Sequence, residues 1–371
     1  MEKNPQTPSE EKPRKKKKWK RVVLIVFLAL LLLIVIAVAA VGLYVDYLLN
    51  QLTPYDPSND MMVASKEADD IEMNDPQIVT IPPDASEDIP DISDITFTTE
   101  PTEEPKPEEP VYIQSNPDHV VNILLIGQDR KPGEGRQRSD SMILLTFNKS
   151  KKTLTLTSFM RDQYVQIPGY KPNKLNAAYA FGGMSLLNET LRVNFNGHVD
   201  GNVEVDFAGF TNLIDMLGGV DISLTSAEVK YMNHATDWNL TTGVNRLTGE
   251  QALVYSRIRA IDSDYRRAER QRKVILSLLE RYKNQSLPEM LDMLSDVLPM
   301  VTTNMDKSEI VNYAVELAPM LTSMEMDTLR IPVDGSFRQG NVKVREGLAN
   351  WFQYDIDFQR NRQVLRELLE E

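Results

Sequence analysis

Arginines and aspartates recur in this chain where the surrounding apolar pattern points to burial. They stand in Gly127-Gln128-Asp129, Arg138-Ser139-Asp140, Met160-Arg161-Asp162 and Arg257-Ile258-Arg259, and in the run from Asp264 to Gln271. The arginine fork meets two phosphate oxygens at once, and grouped carboxylates suit a hard divalent cation. A site holding both would take a pyrophosphate together with its metal.

The run from Asp264 to Tyr282 has the spacing of an amphipathic helix, with Val274, Ile275, Leu278, Leu279 and Tyr282 on one face. Followed toward its start by steps of three and four, that face becomes Gln271, Arg267 and Asp264. Glu269, Arg272, Lys273 and Glu280 fall opposite, as a solvated surface would. Buried charges need partners, so the inward groups require one another or a ligand. A purely structural Asp264–Arg267 ion pair is the simpler alternative. Against it, Arg257 and Arg259 lie just upstream at alternate positions, and an extended segment would aim both the same way. Arg161-Asp162 follows one expected strand and Asp129 another, and open α/β sheets bind ligands at the carboxyl ends of their strands. Charges that converge on a cleft mark a functional site.

The elements that must hold these residues are legible in outline. Val121 to Ile126 and Met142 to Phe147 are short apolar runs expected as strands covered on both faces. Thr153 to Phe159 alternates, as a strand with one more polar face does. Met184–Val193 and Phe207–Leu217 have helical patterning, and Val220–Leu224 reads as a strand. Thr248 with Gln251 forms a capping box opening a helix through Tyr255. Helices near Pro288–Met300 and Lys307–Leu321, a strand near Met326–Ile331 and a last helix near Asn361–Leu369 complete the chain. Interleaved strands and helices favour a layered α/β domain, taken as Val120 to Glu371 without a linker inside it.

Composition places this domain. The chain has 371 residues, a net charge of -13 and no cysteine. The acidic balance argues against a nucleic-acid partner. A basic tail, residues 1–21, precedes Val22 to Val45, a stretch without charge that as a helix of ~1.5 Å per residue spans a ~30 Å hydrocarbon core. The basic cluster keeps the N-terminus cytoplasmic and sends the rest outward, with Trp19, Tyr44 and Tyr47 as interfacial anchors. A cleaved signal peptide ending near Ala37-Val38-Ala39 is the alternative, although signal cores run only ~7–15 residues. Residues 46–119 are acidic and proline-rich, an extended extracytoplasmic stalk, or else an acidic docking segment. An exported domain without disulfides suits a Gram-positive envelope. Four Asn-x-Ser/Thr triplets, beginning at Asn148, Asn188, Asn239 and Asn284, arise easily by chance.

Other signals are weak. His119, His198 and His234 lack metal-ligand spacing, Gly133-Glu134-Gly135 lacks the Lys-Ser/Thr of a phosphate loop, and no Gly-x-Ser-x-Gly element occurs.

Seven segments in order resemble the LytR-CpsA-Psr domain. They are Val121–Asp129, Arg138–Met142, Arg161-Asp162, Lys174–Ala180 with Gly182-Gly183, Leu217–Asp221, Leu247–Leu253 through Arg257 and Arg259, and Asp264–Gln271. The match runs over about Val120 to Lys283, and an anchor and stalk are also usual in that family. Phe159-Met160 stands where the family usually has Ile-Pro, and Arg266 replaces a common small residue; neither removes a charged position.

The resemblance implies an α-β-α catalytic domain behind a single transmembrane helix. It further implies a membrane phosphotransferase that moves a glycopolymer, teichoic acid or capsular polysaccharide, from undecaprenyl-pyrophosphate to peptidoglycan. The acceptor would be the C6 hydroxyl of N-acetylmuramic acid and the product a phosphodiester. By the same resemblance Asp129 and Asp140 hold Mg²⁺, with Mn²⁺ as an alternative. Arg138, Arg161, Arg257, Arg259, Arg267 and Gln271 hold the phosphates, and Lys174–Phe181 with the helix from Met184 lines a prenyl tunnel. The chemistry asks for a proton acceptor, with Asp264 first and Asp162 second. Two other readings remain: a polyprenyl-phosphate-binding regulatory module, and a lipid pyrophosphate hydrolase.

Overall fold

The central apolar runs pair with one another because each carries side chains to bury on both faces. The computed structural model describes residues 53–54, 115–128, 136–283, 285–286, 289–290, 293, 296–345 and 348–370. The basic tail, the Val22–Val45 span, most of the stalk and Asp129 lie outside them. Among the described residues no helix is long and apolar enough to cross a membrane.

Numbered in chain order, β1 (Thr53–Pro54) and β10 (Thr302–Thr303) form one margin of a seven-stranded sheet. Inward follow β7 (Gly201–Asp206), β2 (Val120–Gln128), β3 (Ser139–Asn148) and β4 (Thr153–Phe159), with β11 (Glu325–Ile331) at the other margin. β2, β3 and β4 run antiparallel in turn, whereas β7 is parallel to β2 and β11 to β4. Gln128 pairs with Ser139 and Asp206, and Ile331 with Phe159. The carboxyl ends of β2, β4, β7 and β11 therefore share one end of the sheet with the start of β3.

Alternation along the strands divides the core. Leu124, Ile126, Met142, Leu144 and Phe159 meet α1 (Leu175–Phe195) and α7 (Phe358–Glu367). Ile143, Leu145, Phe147, Leu154 and Leu156 meet α5 (Asp264–Tyr282) and α6 (Lys307–Leu321). Helices thus cover both faces of the sheet. The helix expected from Met184 reaches back to Leu175 across a break at Gly182-Gly183, where Gly183 has φ 60 and ψ -150. Only glycine adopts that backbone without cost, and the break lets the buried segment Leu175–Phe181 change direction.

A second apolar cluster lies beside the sheet. It combines α2 (Phe207–Met216), β8 (Val220–Leu224), α3 (Ser226–Ala235), β9 (Gly243–Leu247) and α4 (Gly249–Arg257) with Val274 of α5. The Thr248–Gln251 capping box is present, and Gly249 is needed: a Cβ there would sit 2.1 Å from Thr211 O. α5 packs on this cluster and on the sheet at once, so it buries more of its circumference than one stripe. That corrects the solvated reading of Arg272, which is buried with Nη1 donating to Ser158 Oγ at 2.7 Å.

Two short ladders remain. β5 (Tyr164–Val165) pairs with β6 (Asn173–Lys174), and β12 (Arg338–Arg345) with β13 (Leu348–Tyr354). Of the helix expected near Pro288–Met300, a single 3-10 turn, Leu298–Met300, ends the region; Pro288 and several neighbours lie outside the described residues.

Candidate active site

Four elements deliver charged side chains to the common end of the sheet. Asp140 comes from β3, Arg161 and Asp162 from the turn after β4, Lys174 from β6, and Asp264 with Arg267 from the first turn of α5. Ser263 caps α5 by accepting from Arg266 N, which fixes where that first turn begins.

The groups pair in a chain. Arg161 Nη1 donates to Asp140 Oδ1 at 2.5 Å, and its Nε lies 3.5 Å from Asp162 Oδ2. Lys174 Nζ is 2.8 Å from Asp162 Oδ1. On the other side Arg267 Nη2 donates to Asp264 Oδ2 at 3.1 Å, and Arg259 Nε is 3.3 Å from Asp264 Oδ1. Arg267 is only 4% exposed. Its Nε lies 2.8 Å from Asp264 Oδ1 but off the N–H line, and like Arg161 Nε it makes no hydrogen bond.

The electrostatics show crowding of positive charge. Burial, then Arg267 and Arg161, bring the Arg259 guanidinium down to about 10, against the weaker pull of Asp264 and Asp140. Burial would also lower Arg161, but Asp162, Asp140 and Asp264 overturn that and raise it. For Asp162, burial acts upward and is outweighed by Lys174 and Arg161, which hold the carboxyl below its ordinary range. Arg161, Lys174, Arg259 and Arg267 thus face Asp140, Asp162 and Asp264 among the described residues, and the excess is cationic. An arriving phosphate would relieve the repulsion that Arg259 feels.

The remaining predicted residues fall around this cluster. Arg138 directly precedes β3, and Gln271 is half-buried one turn beyond Arg267 on α5. The extended segment expected to carry both Arg257 and Arg259 begins only after Arg257. Arg257 is the last residue of α4, exposed, with its guanidinium 4.4 Å from the Phe207 ring centroid. A strong cap at Thr248 carries the helix past Tyr255, and a cation in its last turn suits the helix dipole. Arg259, two residues on, reaches Asp264.

Two contributors were not foreseen. Lys174 sits at the N-cap of α1 without a side-chain cap bond, a position where a cation opposes the helix dipole unless it has a carboxylate. That mismatch was readable once the helix start was known. Arg270 is buried and binds Glu228 at 2.7 Å, Ile258 O at 3.0 Å and both oxygens of Asp262. It clamps the segment carrying Arg259 to α3.

A metal fits this donor set in one way only. Among the described residues no three acidic, histidine or cysteine groups cluster as a cage. Asp140 offers one carboxylate beside the arginines, which suits an ion such as Mg²⁺ that keeps phosphate and water oxygens for the rest of its shell.

The LytR_cpsA_psr family model matches residues 92–355. The chain belongs to the LytR_cpsA_psr family. Among relatives of this LytR_cpsA_psr protein is the polyisoprenyl-teichoic acid–peptidoglycan teichoic acid transferase TagT of Bacillus subtilis. It is 32% identical over 211 residues, 55% of this chain and 65% of TagT. The regulatory protein MsrR of Staphylococcus aureus is 31% identical over 258 residues, 68% of this chain and 76% of MsrR. The solved structure of TagT bound to LIIa-WTA shares the mixed α/β fold at TM-score 0.54 and 26% identity, over 72% of this chain and 94% of that one.

Proposed function

We propose that this protein is a membrane-anchored, outward-facing phosphotransferase that moves a glycopolymer from undecaprenyl-pyrophosphate to peptidoglycan. The observation that carries it is the cluster of Arg161, Arg259 and the buried Arg267 around Asp140, Asp162 and Asp264, at the strand ends where the fold collects ligands. The transferase name borne by TagT supports it.

The acceptor hydroxyl attacks the phosphorus that bears the sugar. A P–O bond forms, the bond to the prenyl phosphate breaks, and the hydroxyl proton passes to a carboxylate. Arg161, Arg259 and Arg267, assisted by Lys174, neutralise charge as it gathers on the transferred and departing phosphates, which is usually the largest catalytic effect. Asp264 is the proton acceptor: its side chain is 27% exposed against 15% for Asp162, which Lys174 and Arg161 lock in place. Mg²⁺ or Mn²⁺, held by Asp140 and Asp129, would add further neutralisation of the phosphate oxygens.

The test incubates the full chain in detergent with a polyprenyl-pyrophosphate-linked sugar, Mg²⁺ and peptidoglycan oligomer, with the phosphodiester read by mass spectrometry. Wild type yields product, and Asp140→Ala or a chelator suppresses it. Arg267→Ala lowers turnover by about 10²-fold or more. That variant stays folded, because Asp264 keeps Arg259. Tight lipid binding without product would instead favour a regulatory binding module, the reading that the name of MsrR suggests, and sugar released without linkage would favour a hydrolase.

A further inference from the structure

The β12–β13 hairpin leaves one aromatic side chain open to solvent: Trp351 is 46% exposed. Alternation and register fix what shares its face. Trp351 lies opposite Asn341, and two residues along the ladder Gln353 lies opposite Gln339. Both glutamines converge on Tyr265: its hydroxyl bonds Gln339 Oε1, and Gln353 Nε2 donates back to it at 3.1 Å. Tyr265 follows Asp264 directly in α5. At ~3.4 Å per residue the hairpin part of this strip covers about 7 Å between its two cross-strand pairs.

The hairpin is also tied to the cluster. Gln353 N donates to Asp162 O at 2.9 Å, and Gln353 bridges to Gln163. Five residues therefore run from an exposed indole to the neighbour of the proposed proton acceptor, and none of them is charged.

That chemistry discriminates among occupants. A prenyl chain needs unbroken apolar surface, which the strip lacks, and a phosphate needs cations, of which Arg330 over the Tyr265 ring at 4.3 Å is paired with Asp334. An indole face for the C–H side of a pyranose, and the accessible amides of Asn341 and Gln339 for its hydroxyls, suit a neutral sugar. We infer that Trp351, Asn341, Gln339 and Tyr265, with the buried Gln353 holding Tyr265 in place, form the docking strip for the acceptor glycan strand. The acceptor is the occupant because the strip arrives beside Asp264, where the attacking hydroxyl must lose its proton. The inference rests on the phosphotransferase reading for the word acceptor and on the hairpin's geometry for the sugar.

Isothermal titration of the full chain in detergent with a peptidoglycan tetrasaccharide, without lipid donor, tests it apart from turnover. Trp351→Ala weakens binding about tenfold, and Trp351→Phe restores most of it. In the transfer assay Trp351→Ala raises the acceptor KM by a similar factor and leaves the donor KM alone. Equal affinity of wild type and Trp351→Ala for the tetrasaccharide would overturn the inference, as would a rise confined to the donor KM. Failure of the phosphotransferase reading looks different: wild type binds the tetrasaccharide, Trp351→Ala binds it about tenfold more weakly, and no phosphodiester forms in either.

Discussion

Asp162 sits between Lys174 and Arg161, and its position has a consequence for stability against acid. A carboxyl whose folded value is depressed contributes stability above its unfolded value of about 3.9, and that contribution is lost as pH falls through the folded value. Asp162→Asn should therefore cost about 3 kcal/mol at pH 7, as Lys174 and Arg161 lose their shared partner, and less in acid as pH falls through the depressed folded value. Urea unfolding at pH 7 and in acid checks this; an equal cost at both would show that packing, not charge, is what Asp162 supplies. At this scale the sequence named most of the cluster, because charged residues inside apolar runs stand out. It misdirected Arg272, since the rotation of a helix about its axis depends on what packs on it. α5 lies against two clusters, and α4 runs one residue pair further than its pattern required.

Arg270 acts between elements. It joins α5 to α3 through Glu228 and to the Arg259 segment through Ile258 O and Asp262. Arg270→Ala leaves Glu228 buried beside only its Thr225 bonds, and a cost of about 3–5 kcal/mol is expected in chemical denaturation. A loss under about 1 kcal/mol would mean that the clamp is dispensable. Strands β2, β3 and β4 and helices α5 and α6 were legible because uninterrupted or periodic burial shapes their composition. β7 was not, since Asn202 and Glu204 interrupt it; both are buried, and Glu204 is satisfied by Tyr179 and Gln128. The β12–β13 hairpin was hidden for a related reason. It buries Val342 and Phe352 on one face, but much of its hold comes from docking onto Gln163 and Tyr265.

For the whole molecule, a site assembled from several elements means that its ligand should brace the fold. Inorganic pyrophosphate with Mg²⁺ at a hundred times its Kd should add about 2.7 kcal/mol, a rise in Tm of about 5–10 °C. Differential scanning fluorimetry measures this, and no rise in wild type at saturation would remove the anion site. The order of strands in the sheet could not be read from sequence, because β11 returns from the far end of the chain to lie parallel to β4. That arrangement leaves β11 as a margin whose Glu325 and Asp327 are exposed. An open strand is a template on which another copy can add, and like charges brought together there oppose it. Such a guard works through the solvent and weakens as ions screen it, over about 8 Å at physiological strength and about 3 Å in molar salt. Colloidal behaviour in brine is thus written into the last strand of the sheet.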